Sequence, residues 1–142
     1  MNAYVVDANT IFSAVISGKE DYLRAFAPNI FYLPDFALSE IQRYQELLLK
    51  KTKLPPEELR SFTLRLFSKL TVVPNFLIST KSYLDAFLLC KDIDEDDTPY
   101  LALAIEFDIT LLTKDEELIV GLRKNGFEKV ISLTEFLKKQ SI

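Results

Sequence analysis

The chain has 142 residues, a net charge of −4, 49% hydrophobic and 27% charged residues, no histidine and one cysteine. That length and balance suit one globular domain spanning residues 1–142, and the negative charge excludes indiscriminate electrostatic binding to nucleic acid. The missing histidines exclude Ser–His–Asp and Cys–His catalysis, and a lone cysteine excludes an internal disulfide or a cysteine-rich zinc site. A metal held here would sit among oxygens, which favours magnesium, manganese or calcium. No stretch reaches the roughly 18 uncharged apolar residues of a membrane span, and no basic-then-apolar leader pattern opens the chain. The expectation is a cytoplasmic protein without a membrane partner.

In chain order, Tyr4-Val5-Val6 reads as a buried strand that stops at Asp7, with Asn9 and Thr10 just beyond. The pattern predicts short helices over 11–16, stopped by Gly18, and over 21–27, ended by Pro28. A second strand follows over 30–33. Asp35 opens a helix expected to run to residue 51, because Ala37, Ile41, Tyr44 and Leu48 keep i, i+4, i+7, i+11 spacing. Pro55-Pro56-Glu57-Glu58 starts another over 56–69, and these two helices are expected to pair as a hairpin. A third strand covers 70–73, and Ser79 or Thr80 caps a helix over 83–91. Cys90 falls in its apolar run AFLLC and is assigned to the core. Thr98-Pro99 opens a helix over 100–107, strand four covers 109–112, and a helix over 115–124 stops at Asn125-Gly126. Residues 130–131 form a fifth strand, and Ser132 or Thr134 caps a last helix. Strands alternating with helices imply an α/β fold in three layers around a mainly parallel five-stranded sheet. Phe36, Phe62, Phe67, Phe107 and Phe136 lie on apolar stripes and belong to the core.

Several acids stand where such a sheet gathers ligands, at the carboxyl ends of its strands. Read alone, Asp7 and Asp115 are turn or capping residues, and Glu40 is a solvated glutamate within reach of Arg43. The run Asp92, Asp94, Glu95, Asp96, Asp97 exceeds what capping the next helix requires. Taken together, Asp7, Asp97 and Asp115 share one edge, with Glu40 near the start of its helix. Carboxylates converging from distant segments repel unless they hold a hard cation. With histidine absent, water activated by that cation is the natural nucleophile for a phosphodiester.

The segments VVDANT, LSEI, DEDDTPYLALA and LLTKDEEL resemble, in order and over nearly the whole chain, the four acidic motifs of PIN-domain nucleases. The nearest class is the single-domain prokaryotic VapC-like type, many of whose members are ribonuclease toxins. The resemblance implies magnesium- or manganese-dependent cleavage of single-stranded RNA, with Asp7, Glu40, Asp97 and Asp115 as the catalytic and metal-holding acids. Within that set, Asp7 and Asp97 would be direct ligands, and Glu40 and Asp115 would orient water. Asn9 and Thr113 match polar companions of the first and last acids, and Asp94 competes with Asp97 for the third position. Lys114 departs from the small or polar residue commoner there. The resemblance also implies a homodimer and, for a toxin, a small antitoxin partner.

RNA-contacting candidates are Lys50, Lys51, Lys53, Arg60, Arg65, Lys69 and Lys81, with Phe12 or Tyr100 for base stacking. Two rival readings remain. One is a catalytically weak PIN-like module that binds RNA or a protein. The other is an aspartyl phosphotransferase of the haloacid-dehalogenase class, suggested by DANT but short of its second acid, which is Asn9 here.

Overall fold

A computed structural model describes residues 2–140. Five parallel strands form one sheet: β1 (Ala3–Val6), β2 (Ile30–Pro34), β3 (Leu70–Val73), β4 (Thr110–Thr113) and β5 (Val130–Ser132), in the order β3-β2-β1-β4-β5. Val5 pairs with both Tyr32 and Leu111, which places β1 at the centre. The chain builds outward from β1 to β2 and β3, then restarts on the other side with β4 and β5. The point of reversal lies between β1 and β4, where open α/β sheets hold their ligands.

Alternating side chains send the two faces of the sheet into different layers. On one face, Phe31 stacks on Phe26 at 4.2 Å, and Tyr4 meets Phe136 edge-on at 5.2 Å. Those rings belong to α2 (Glu20–Phe26) and α9 (Leu133–Gln140). On the other face, Tyr32 meets Phe107 of α7 (Thr98–Phe107), and α6 (Thr80–Cys90) packs against α7. Residues 101–104 of α7 are all essentially inaccessible, so this helix is apolar all round because it is covered all round. Of the assigned core phenylalanines, Phe62 and Phe136 are fully buried, and Phe36, Phe67 and Phe107 pack at the core's margin. Cys90 is buried, with its sulfur 3.2 Å from the Thr98 hydroxyl.

Local signals hold at several ends. Gly18 terminates α1 (Ala8–Ser17) at φ 65°, and a Cβ there would also lie 2.6 Å from Leu54, so both backbone and space require glycine. Ser79 caps α6 through the Ser82 amide, which starts that helix three residues earlier than the sequence pattern indicates. Ser132 rather than Thr134 caps α9, accepting from the Glu135 amide.

The helix expected over 35–51 is broken. It forms α3 (Phe36–Arg43) and α4 (Gln45–Lys51), hinged at Tyr44. The apolar spacing runs through the break. The chain bends there because α3 and α4 both lean on α1, and Tyr44 turns edge-on to Phe12 at 5.9 Å. The expected hairpin with α5 (Pro56–Phe67) is replaced by a groove. Residues of α1, α3, α4 and α5, among them Val15, Ile41, Leu49 and Phe67, line it.

Candidate metal-binding carboxylate centre

The carboxyl ends of β1 and β4 build the floor of the site. Asp7 is 5% exposed, and its carboxylate caps α1 by accepting from the Thr10 amide at 2.9 Å and the Thr10 hydroxyl at 2.5 Å through Oδ1. Its Oδ2 accepts from the Thr113 hydroxyl at 2.6 Å, which ties β1 to β4. Thr113 is fully buried, and its oxygen also accepts from the Asp115 amide at 3.1 Å. A carboxylate offers about four acceptor directions. Three are used here, leaving one on Oδ2. Burial pushes the Asp7 carboxyl up, against the lowering effect of its threonine bonds, and the nearby Asp115 charge adds to the rise.

Asp115 caps α8 (Glu116–Lys124), accepting from the Leu118 amide at 3.1 Å. The facing wall is the short 3-10 turn Glu95–Asp97 that leads into α7, where Asp94 accepts from the Asp96 amide at 3.0 Å. Gly121 of α8 lets this wall come close, since a Cβ there would lie 2.5 Å from Ile93, the neighbour of Asp94. Asp94, Asp97 and Asp115 each place an oxygen within 4.8 Å of the others. Asp97, preferred from the sequence for the third position, and Asp94, its competitor, thus both lie in this cluster. Asp97 Oδ2 is the one buried side-chain polar atom among the described residues without a hydrogen-bond partner. Burial first, and then the charges of Asp7, Asp94, Asp115 and Glu40, push the Asp97 carboxyl up to about 8.

Glu40, half-buried on α3, accepts a hydrogen bond from the Tyr100 hydroxyl rather than pairing with Arg43. Tyr100 is 2% exposed, its ring meets Phe36, and its hydroxyl lies against the Ala8 backbone amide beside Asp7. Burial and the Glu40 carboxylate hold this phenol far above its usual range, so it stays a donor. Tyr100 is therefore part of the site's framework and has no exposed ring for a base. Its apolar surroundings in DDTPYLALA read as core, and a contact across 60 residues leaves no local signal. Asn9 is exposed at the start of α1. Lys114 does not enter the centre: its Nζ donates to Ser13 at 2.8 Å. Of the basic residues singled out in the sequence, Arg65 pairs with Glu20 and Lys81 with Asp85.

The donor set suits a hard divalent cation. It is all carboxylate, with one oxygen unpartnered and mutual repulsion unrelieved by any protein cation within the cluster. Magnesium and manganese both fit that chemistry.

The structure is an α/β protein with a parallel sheet and acids that converge at its reversal point, three of them close enough to share a cation. The PIN domain matches residues 5–134, and the chain belongs to the PIN-domain family, a family of nucleases. Among solved structures, it is similar to the crystal structure of PAE2754 from Pyrobaculum aerophilum. The TM-score is 0.68 at 14% identity, covering 99% of this chain and 90% of the other, which is a likeness of fold. No curated protein sequence matches it. Family membership removes the aspartyl phosphotransferase reading. Among the described residues, no helix is long and apolar enough to cross a membrane.

Proposed function

We propose that this protein is a divalent-metal-dependent endoribonuclease that cleaves single-stranded RNA. The observation that carries the reading is the unpartnered, buried Asp97 Oδ2 set among Asp94 and Asp115 at the β1–β4 reversal. Asp97 and Asp115 hold the ion, Asp94 reinforces them, and Asp7 contributes through the acceptor direction that its threonines leave free. When bound, magnesium or manganese supplies water activation and neutralises charge developing on the scissile phosphate. Thr10 and Thr113 hold Asp7 in place, and the Tyr100 hydroxyl holds Glu40, which orients the attacking water and accepts its proton. Asn9, exposed beside Asp7, is placed to bind substrate.

Within that class we place the chain with the single-domain prokaryotic toxins, acting in the cytoplasm as a homodimer and inhibited by a small antitoxin protein. Co-purification with the product of an adjacent reading frame tests the partner, and mass measurement in solution tests the dimer.

The first experiment follows a labelled single-stranded RNA with wild type, Asp7→Asn and Asp97→Asn, each in magnesium, in manganese and in EDTA. Metal-dependent cleavage that disappears in both variants is the expected result. A folded, metal-loaded protein that cleaves none of a varied RNA set would instead be a binding module.

A further inference from the structure

Beside the carboxylate centre, on its α1 side, lies a pocket of about 280 Å³ whose lining includes Asn9, Ser13, Tyr44, Lys51 and Lys114. Two of its residues adjoin the site in sequence. Asn9 is two residues past Asp7, and Lys114 stands between Thr113 and Asp115. Its cations differ from several others on the surface. Arg65, Lys81 and Lys129 each have a carboxylate partner, whereas Lys114 bonds only the neutral Ser13 hydroxyl. Lys51 has no ion pair among the described residues. Two uncompensated lysines thus open onto one pocket in a chain of net charge −4. Tyr44 is held edge-on by Phe12 yet stays 39% exposed. Tyr44 and Lys51 stand at the two ends of α4, seven residues apart and so on one face of that helix.

We propose that this pocket is a nucleotide subsite that takes the residue next to the scissile phosphate of a single-stranded RNA. Lys51 and Lys114 bind its phosphate, Tyr44 stacks on its base and Asn9 hydrogen-bonds its polar edge. The proposal rests on the nuclease reading above and extends it. An anionic ligand with a planar apolar part matches both halves of the pocket, and stacking on one aromatic ring tolerates any base. It also explains the departure at Lys114: the side chain is turned away from the carboxylates to serve the strand that passes them.

The test measures binding of a fluorescein-labelled oligouridylate of about ten nucleotides by anisotropy over a series of potassium chloride concentrations. The protein carries Asp97→Asn, so that no RNA is cut. Lys51→Gln and Lys114→Gln, added singly, are each expected to weaken binding about five- to ten-fold at low salt and to reduce the salt slope by about 0.7, the value for one phosphate contact on a single strand. Tyr44→Leu should weaken binding about ten-fold and leave the slope unchanged. Lys81→Gln, whose lysine is already paired, should change neither quantity. All four positions are exposed, and thermal melts confirm folding of each variant. If the background protein binds RNA but the pocket variants behave like Lys81→Gln, the subsite is overturned with the nuclease reading intact. If wild type neither binds nor cleaves any RNA, the nuclease reading fails and the subsite with it.

Discussion

Asp7 and Asp97 belong to one centre but are built on opposite plans. Asp7 ends the central strand, and three hydrogen bonds from α1 and β4 fix both of its oxygens. Asp97 sits in a short turn between helices, with a buried oxygen that nothing among the described residues satisfies and four other carboxylates in its field. One half of the centre is complete without an ion. The other keeps an acceptor open. A parallel sheet supplies rigid strand ends cheaply, so the fixed pole belongs on β1 and β4, and the stored repulsion sits in a turn that can tolerate it.

The largest test of that contrast is activity. Asp97→Asn and Asp115→Asn should each lower metal-dependent RNA cleavage by at least about 10²–10³-fold, the scale of losing one electrostatic stabiliser of developing charge. The same Asp97→Asn change should raise the melting midpoint of the metal-free protein, because it removes a carboxylate crowded by Asp7, Asp94, Asp115 and Glu40. Calorimetry in EDTA reads this directly. A lower midpoint would mean that Asp97 is a structural acid and that the two plans are one.

Thr113→Val tests the fixed pole. The substitution keeps shape while removing the donor to Asp7 and the acceptor for the Asp115 amide. It should cost about 1–3 kcal/mol of stability by leaving buried polar groups unpaired. Cleavage should also fall about 10–100-fold through loss of a supporting hydrogen bond. Here stability and activity fall together, whereas at Asp97 they move in opposite directions.

How much of this was legible before the structure divides the same way. The fixed pole was legible because its signals are local: an apolar strand ending at an acid with a hydroxyl residue close by, Thr10 after Asp7 and Thr113 before Asp115. The third strand was placed on the residues that form it, Leu70–Val73, since Pro74 closes it sharply. The acidic run announced the other pole, and its position against the helix favoured Asp97 over Asp94; that both lie beside Asp115 depends on how the Glu95–Asp97 turn meets the start of α8, which spacing does not report. The break at Tyr44 was hidden because apolar periodicity reports which face is buried, not whether the axis stays straight while wrapping α1. Tyr100 was hidden because a tyrosine amid Leu and Ala reads as packing until its hydroxyl finds Glu40.

Tyr100→Phe gives a smaller effect, on the seam between the poles. It removes only the hydroxyl that holds Glu40. Cleavage should fall about ten-fold, the lower end of such supporting roles, in kcat with KM unchanged, and stability by about 1 kcal/mol. Glu40→Gln should lower kcat further, by about 10²-fold or more, because it removes the proton acceptor itself, while keeping stability near wild type. If the phenylalanine variant instead raises KM alone, Tyr100 serves substrate binding rather than the position of Glu40.

The remaining effect is the pH dependence of the metal-free protein, read without any change to activity, and its sign follows from Asp97. The carboxyl is raised from 3.8 to about 8 in the folded state, by burial first and then by its four acidic neighbours. Between those values the folded chain holds a proton that the unfolded chain has released. Its contribution to stability is therefore full below about pH 4 and is lost as pH rises through about 8. The melting midpoint in EDTA should drop by on the order of ten degrees between pH 5 and pH 8.5, and Asp97→Asn should flatten that part of the profile. Magnesium competes with the same proton, so the stabilisation it gives should grow over the interval in which the metal-free protein weakens. An ion that stabilised equally at pH 5 and pH 8.5 would be binding away from Asp97, and the unsatisfied oxygen would then need another explanation.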